Sequence, residues 1–303
     1  MHSRLSGAYR AVVPEPLRRK IRDARYHRVR RVTLALPNPP DGSSRPRRLV
    51  MNAPSGLLIP RMLAEHGLAG YEPETLAVYL AAVDLAPPGA VLDIGANVGV
   101  YGLLARALSD RDVHAFEPMP ELADVATSTA TANRMPYAIS RDALGRESGE
   151  ATFYISDVSD SSNSLNPAFR ASTRTLTVTV TTLDEYAKEH SIVPAVVKID
   201  VETGEPDVLA GAHETLRTHR PWLLVEVLPG RTPAAIAAEM KQWGYTWYRC
   251  VGEPPYDAGT DLNMRDGTAA PMWLMLPEPA TEEFWTRSGR WLDAIRATAG
   301  QSR

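Results

Sequence analysis

The chain has 303 residues, with 33 Lys+Arg against 36 Asp+Glu and a formal net charge of -3. That near-balance hides a split: residues 1–50 carry 13 Lys/Arg and 3 Asp/Glu, net +10, and residues 51–303 carry 20 and 33, net -13. A hydrophobic share of 44% with 23% charged residues excludes collagen-like and disordered classes for the body, no apolar run approaches the roughly 18 residues of a membrane span, and Cys250 as the single cysteine excludes an intramolecular disulfide or a Cys-cluster metal site.

The basic block comes first. Residues 17–31 are dense in Lys and Arg, and Pro37 to Arg48 mixes Pro, Gly, Ser and Arg as a linker does. The domain organisation expected is therefore a basic arm and linker over 1–50 and one domain over 51–303. The arm has the chemistry of a solvated segment or of a tether to an anionic surface, where each Lys/Arg adds ~1 kcal/mol. It carries no apolar signal core, so a cytoplasmic location is the expectation.

The body alternates strand-like and helix-like stretches. Pro73 to Val83 predicts a helix, Ala90 to Ile94 a short buried strand, Val100 to Leu108 a helix, and Val113 to Phe116 a second strand. Pro120 to Asn133 predicts a helix and Tyr137 to Ser140 a third strand. Ala151 to Ile155 and Leu176 to Thr182 are β-branched and aromatic, as in added strands or a hairpin. Asp184 to His190 predicts a short helix, Ala195 to Ile199 a buried strand, Pro206 to Thr218 a helix and Trp222 to Val227 a strand. Pro233 to Trp243 is helical, and Tyr245 to Cys250 and Met272 to Leu276 close the series around a Gly/Pro-rich insertion. Strands separated by helices predict an α/β, doubly wound, mainly parallel sheet, which binds ligands beyond the carboxyl ends of its strands. Asp93, Glu117, Asp200 and Glu226 all fall at or near such ends.

Two segments carry the chemistry. In Val91-Leu92-Asp93-Ile94-Gly95-Ala96-Asn97-Val98-Gly99, Gly95 and Gly99 permit a tight turn and a close ligand approach. Glu117 ends the next strand, where a carboxylate can accept two hydrogen bonds from a ribose diol. Asn97 stands where a dinucleotide fingerprint has its second Gly, and the carboxylate of Asp93 would repel a pyrophosphate but suit a cationic donor such as S-adenosylmethionine. A plain strand-to-helix turn with Asp93 as a cap is the structural alternative. In the second segment, Lys198, Asp200 and Glu202 alternate, so an extended backbone would project them to one face as a floor that orients or deprotonates an acceptor. A salt-bridged loop with acids near the next helix N-terminus is its alternative. Asp200, Glu202 and Glu226 also have the oxygen chemistry for a hard divalent cation, but no metal is assigned from the sequence. His66 and His213 are further candidate bases, and the Ser/Asp-rich stretch Asp157 to Asn166 is a candidate loop over the acceptor.

Taken in order, these pieces resemble the FkbM-type methyltransferases: the Asp93-to-Gly99 turn, Ala115-Phe116-Glu117-Pro118, Asp142-Ala143-Leu144-Gly145, Ser161-Ser162-Asn163-Ser164-Leu165, Thr182-Leu183-Asp184, the Lys198-to-Glu205 segment, Val208-Leu209-Ala210-Gly211-Ala212, and Arg220-Pro221-Trp222 leading to Glu226. The resemblance covers roughly residues 70–250. It implies a Rossmann-like class I fold with seven strands, the last antiparallel, and S-adenosylmethionine-dependent methylation of a hydroxyl on a sugar, glycolipid, polysaccharide or natural-product intermediate. It implies that Asp93, Gly95, Asn97 and Gly99 line the methionine end of the donor, that Glu117 holds the ribose and Asp142 lies near the adenine, and that Lys198, Asp200 and Glu202 face the reaction centre. One departure stands out: Glu202-Thr203-Gly204 shifts by one residue the Gly that usually follows the Glu. A nicotinamide-dependent oxidoreductase and a non-catalytic nucleoside- or nucleic-acid-binding module are the competing classes. The acidic body, without a basic-aromatic stripe, disfavours nucleic acid.

Overall fold

The computed structural model describes residues 28–263 and 271–302. Most of the basic run, residues 17–27, lies outside them.

An antiparallel hairpin opens the described chain. β1 (Val29–Ala35) pairs with β2 (Arg48–Pro54), setting Val32 opposite Met51 and Leu34 opposite Leu49. These four side chains are buried in the same core as the first long helices. The sequence reading put residues 29–50 outside the domain; the structure places β1 and β2 inside it. The apolar alternation Val32, Leu34, Leu36 is a strand signal, masked by the arginines on either side. Only the loop between the strands keeps the linker-like character read over Pro37 to Arg48.

Helix α1 (Leu58–His66) and α2 (Pro73–Leu85) lead into the main sheet. Its parallel strands are β3 (Ala90–Ile94), β4 (Val113–Phe116), β5 (Ala138–Ser140), β9 (Pro194–Ile199) and β10 (Trp222–Glu226). β11 (Thr246–Arg249), β12 (Ala258–Gly259) and β13 (Met272–Leu276) complete it in the order β12-β11-β13-β10-β9-β3-β4-β5. β13 runs antiparallel to β10 and to β11, the reversed last strand that the sequence predicts. Among the described residues the sheet has eight strands rather than seven, because two residues of the Gly/Pro-rich insertion form the edge strand β12.

The sheet buries both faces, as a doubly wound sheet must. Val91, Val196, Leu224 and Leu274 pack on one side, against α2, α3 (Val100–Leu108) and the C-terminal α9 (Glu282–Arg296). Leu92, Ile94, Val197, Ile199 and Val225 pack on the other, with α5 (Leu183–Glu189), α6 (Glu205–Ala210), α7 (His213–Thr218) and α8 (Pro233–Met240). α9 is tied to α2 through Asp84, whose Oδ2 accepts from Arg287 Nη1 at 2.6 Å and Trp291 Nε1 at 2.9 Å. The helix expected over Pro206 to Thr218 is two. It breaks at Gly211, where a side chain would collide with the backbone of Gly145, and the carboxylate of Asp184 accepts from the first amides of α7, Glu214 and Thr215, both at 2.8 Å.

The two segments expected as added strands or a hairpin form a sheet of their own. β7 (Gly149–Ser156) and β8 (Ser172–Thr181) pair antiparallel, and β6 (Ala143–Leu144) joins β8. α4 (Pro120–Ala132) packs against β2 and β5, and at its C-terminal end Asn133 exchanges hydrogen bonds with Val50 at 2.9 and 2.8 Å and pins the hairpin.

The order of strands reverses between β3 and β9. There the turn after β3 crosses the loop after β9 at backbone contact: Gly95 has φ +79°, and a Cβ on it would overlap the carbonyl of Asp200. Gly95→Ala is expected to destabilise the protein by about 2–4 kcal/mol, through strain at a positive φ and through that overlap; urea denaturation measures it, and a loss under about 1 kcal/mol contradicts the crossing. A chain beginning at residue 46 is expected to melt well below one beginning at residue 29. It lacks the buried Val32 and Leu34, each worth roughly 1.5–3 kcal/mol. Equal melting temperatures would return β1 to the arm.

Candidate active site

A cavity of about 450 Å³ opens beyond the carboxyl ends of β3, β4, β9 and β10, at the reversal in strand order. Its wall includes Gly95, Asn97, Glu117, Asp142, Lys198, Asp200 and Glu202 from the sequence-derived set, and Glu226. Asp93 and Gly99 are not part of it. Asp93 is fully buried behind the wall, and its Oδ2 accepts from the amide of Gly102 in α3 at 2.9 Å. Gly99 serves packing: a Cβ there would press on Tyr137 and Ala126. The segment is therefore part ligand wall and part structural joint, because the strand points alternate side chains in opposite directions and the turn then redirects the chain.

Asp93 sits opposite Lys198 in the β3–β9 register. Lys198 is buried in the central strand, donates to Asp200 Oδ2 at 2.9 Å, and places its Nζ 4.7 Å from the ring centroid of Tyr101. Burial alone would lower its pKa; the charges of Asp200 and Asp93 reverse that and raise it, so the amine stays an ammonium. Tyr101 in turn donates to Glu72 Oε2 at 2.7 Å. Glu72 lies at the mouth of α2 with a left-handed φ of 46°.

Glu117 ends β4 with both oxygens directed at backbone. Oε2 accepts from Asn97 N and Oε1 from Met119 N, each at 2.8 Å. Each oxygen keeps lone-pair capacity toward the cavity. Burial raises its pKa to about 7, against the pull of those two amides. Asp142 lies at the same end, its Oδ2 accepting from Ser140 Oγ at 2.7 Å.

The loop after β9 turns twice through left-handed backbone, with φ 57° at Glu202 and 82° at Thr203. This is where the sequence departs from the pattern it resembles, and a threonine occupies a conformation that favours glycine. Hydrogen bonds hold it there. Ser164 Oγ donates to Glu202 O at 2.6 Å, Asn166 Nδ2 to Thr203 Oγ1 at 2.9 Å, and Thr203 N to the buried Glu205 Oε1 at 3.2 Å. Glu202 thus leaves the simple alternation yet still faces the cavity. Desolvation first, and the Asp200 charge second, raise its pKa to about 8.

The stretch Asp157 to Asn166 supplies Asp160, Ser161, Asn163, Leu165 and Asn166 to the wall. It is wired in place: Asn163 Oδ1 accepts from Ser156 N at 2.9 Å, and the Asp160 carboxylate accepts from Leu58 N, at the start of α1, at 3.1 and 3.2 Å. Neither histidine candidate lines the cavity. His66 is exposed beside Glu65, and His213 packs edge-on against Trp243 on the outer surface. Tyr71, Glu72 and Tyr101 are wall residues that no sequence motif marks. Glu72 precedes the Pro73 helix start and Tyr101 follows the Gly-rich turn, but position in sequence gave neither a role.

The described wall carries eight carboxylates, Glu72, Glu117, Asp142, Asp160, Asp200, Glu202, Asp207 and Glu226, against one ammonium, Lys198. Such a field suits a cationic ligand and opposes a pyrophosphate.

A family model described as the methyltransferase FkbM domain matches residues 93–246. The chain belongs to this family. The match runs from the acid of the first turn to the strand after α8 and takes in the strand-end residues of the cavity. The chain is also 29% identical over 145 residues to the hexuronic acid methyltransferase AglP of Haloferax volcanii, covering 46% of this chain and 56% of that protein. It thus spans little more than half the length of this curated relative. Among solved structures it is similar to an FkbM methyltransferase from Methylobacillus flagellatus (14% identity, TM-score 0.39, 62% of this chain and 43% of that one) and to the O-methyltransferase TomG from Streptomyces achromogenes, solved with SAM (15% identity, TM-score 0.38, 68% and 79%).

For Glu117, a native pKa of about 7 against an ordinary 4.5 means that the folded state holds the proton between those values. Its contribution to stability is greatest below pH 4.5 and is lost as pH rises through 7, by at most ~3 kcal/mol. Glu117→Gln is therefore expected to flatten the fall of melting temperature between pH 5 and 8. A variant that falls as steeply as the wild type contradicts the buried, raised carboxyl.

Proposed function

We propose that this protein is an S-adenosylmethionine-dependent O-methyltransferase whose acceptor is a hydroxyl of a sugar, in a glycan, glycolipid or natural-product intermediate. The observation that carries the reading is the acidic cavity at the strand-order reversal, with Glu117 at the end of β4 and a single buried ammonium. The donor, when bound, supplies a methyl group already activated on a sulfonium.

The residues fit that donor. Glu117 lines the cavity and each of its oxygens accepts only one amide bond, which leaves capacity for a ribose diol, and the family resemblance assigns Asp142, on the same wall, to the adenine. Asn97 and Gly95 form the backbone rim of the methionine end, while Asp93 acts from behind it, bracing α3 and the Lys198 ammonium. A nicotinamide dinucleotide would bring a pyrophosphate against this acidic wall and a turn that lacks the second Gly, which argues against the oxidoreductase reading.

Asp200 and Glu202 at the cavity floor orient the acceptor hydroxyl and take its proton, a contribution usually worth ~10²–10⁴-fold. Lys198 holds Asp200 in one geometry. Fixing the hydroxyl in line with the methyl group is the larger effect, on the order of 7–11 kcal/mol in favourable cases. The sugar assignment draws on the AglP relative, whose name gives hexuronic acid as its substrate.

Calorimetry with S-adenosylhomocysteine tests the donor site. Glu117→Ala is expected to weaken binding at least tenfold, about 1.4 kcal/mol or more, and near-wild-type affinity would remove Glu117 from the site. Asp200→Asn is expected to retain binding while methylation of uronic-acid and neutral sugar acceptors, read as added methyl mass, falls by ~10² or more. Unchanged turnover would place the base elsewhere.

A further inference from the structure

Behind the acceptor end of the cavity, four carboxylates converge from two neighbouring strand ends. Glu205 gives one oxygen to the loop: its Oε1 accepts from Val201 N at 3.0 Å and Thr203 N at 3.2 Å, while its Oε2 has no hydrogen-bond partner among the described residues. Asp200 gives one oxygen to Lys198. The other three-way relation has no such explanation. Asp200, Glu202 and Glu226 each present an oxygen, and these oxygens lie within 4.8 Å of one another.

Topology produces this meeting. β9 and β10 are parallel neighbours with Ile199 opposite Val225, so the next residues, Asp200 and Glu226, leave the sheet side by side. The left-handed turn at Glu202 then swings a third carboxylate back toward them. Glu226 is 7% exposed, and its Oε2 has no hydrogen-bond partner among the described residues although the residue lines the same cavity. A buried carboxylate oxygen without a donor is costly. Lys198 is already directed at Asp200 and the Tyr101 ring and offers no bond to Glu226.

We propose that Asp200, Glu202 and Glu226 form a binding site for a hard divalent cation of the Mg²⁺ or Mn²⁺ class. Such ions take carboxylate oxygens in a near-octahedral shell and keep several waters, so three protein ligands leave positions open toward the cavity. An oxygen of the acceptor can occupy one of them. That last step rests on the methyltransferase reading; cation binding itself does not.

The full-length wild-type chain, free of donor, is titrated with MnCl₂ and free Mn²⁺ is followed by electron paramagnetic resonance. One Mn²⁺ per chain is expected, displaced by excess Mg²⁺. Glu226→Gln and Glu202→Gln are each expected to weaken binding at least tenfold, whereas Glu239→Gln, an acid paired with Arg146 outside the site, leaves it unchanged. Circular dichroism verifies that each variant is folded, and either glutamine variant alone suffices if the other fails to fold. No Mn²⁺ uptake by the wild type up to about 1 mM, or equal uptake by the folded Glu226→Gln and Glu202→Gln chains, overturns the site. S-adenosylhomocysteine calorimetry on the same wild-type sample separates the two readings. Nucleoside binding without Mn²⁺ uptake removes only the cation site, and Mn²⁺ uptake without nucleoside binding removes only the methyl-donor reading.

Discussion

The buried ammonium of Lys198 organises the middle of this protein. It sits in the central strand of the sheet, flanked by Asp93 across the register and Asp200 at 2.9 Å, with the Tyr101 ring beneath it. Taking such a charge out of water costs several kcal/mol unless its partners are fixed. The partners here are fixed by separate elements: Asp93 by the Gly102 amide of α3, Asp200 by the loop crossing at Gly95, and Tyr101 by its bond to Glu72. The charge therefore couples β3, β9, α3 and the start of α2, which are the elements that shape the cavity.

From this arrangement follows the electrostatic character of the site. One ammonium cannot balance the carboxylates that line the wall, and it is already directed at its own partners. The remaining acids, Glu117 after β4, Glu202 after β9 and Glu226 at the end of β10, stand in partly dry surroundings that disfavour their charged forms. A cationic ligand relieves that condition. The sulfonium donor and the divalent cation proposed above would both draw on that imbalance.

The strand-end residues were legible in the sequence because a parallel α/β sheet makes ligand sites where its strands end, and short apolar runs followed by an acid mark those ends. Glu117, Asp200 and Glu226 could be placed in this way, Glu202 by its alternation with Asp200 and Asp142 by the family resemblance, and the structure brings them to one cavity. Asp93 belongs to the same motif yet faces the interior, since alternate strand residues point oppositely and only the fold decides which face carries the cavity. Glu72 and Tyr101 reach the wall from a helix mouth and a helix face whose sequences carry no chemical motif, whereas Asp160 comes from the Ser/Asp-rich stretch that the sequence marks as a loop over the acceptor. The β1–β2 hairpin escaped notice because arginines on both sides of Val32, Leu34 and Leu36 dominate the local composition, while burial depends only on the inward face.

The sequence by itself determined the α/β alternation, the acidic strand ends and the family resemblance, because periodicity and short motifs are local properties of the chain. The charge split of +10 and -13 was equally legible, but it did not coincide with the boundary of the folded body. Only the tertiary structure decided that the hairpin belongs to the core, that Asp93 braces rather than lines the site, and that Asp200, Glu202 and Glu226 converge. These are consequences of strand order and of the left-handed turn at Glu202 and Thr203, which join residues that the chain keeps apart.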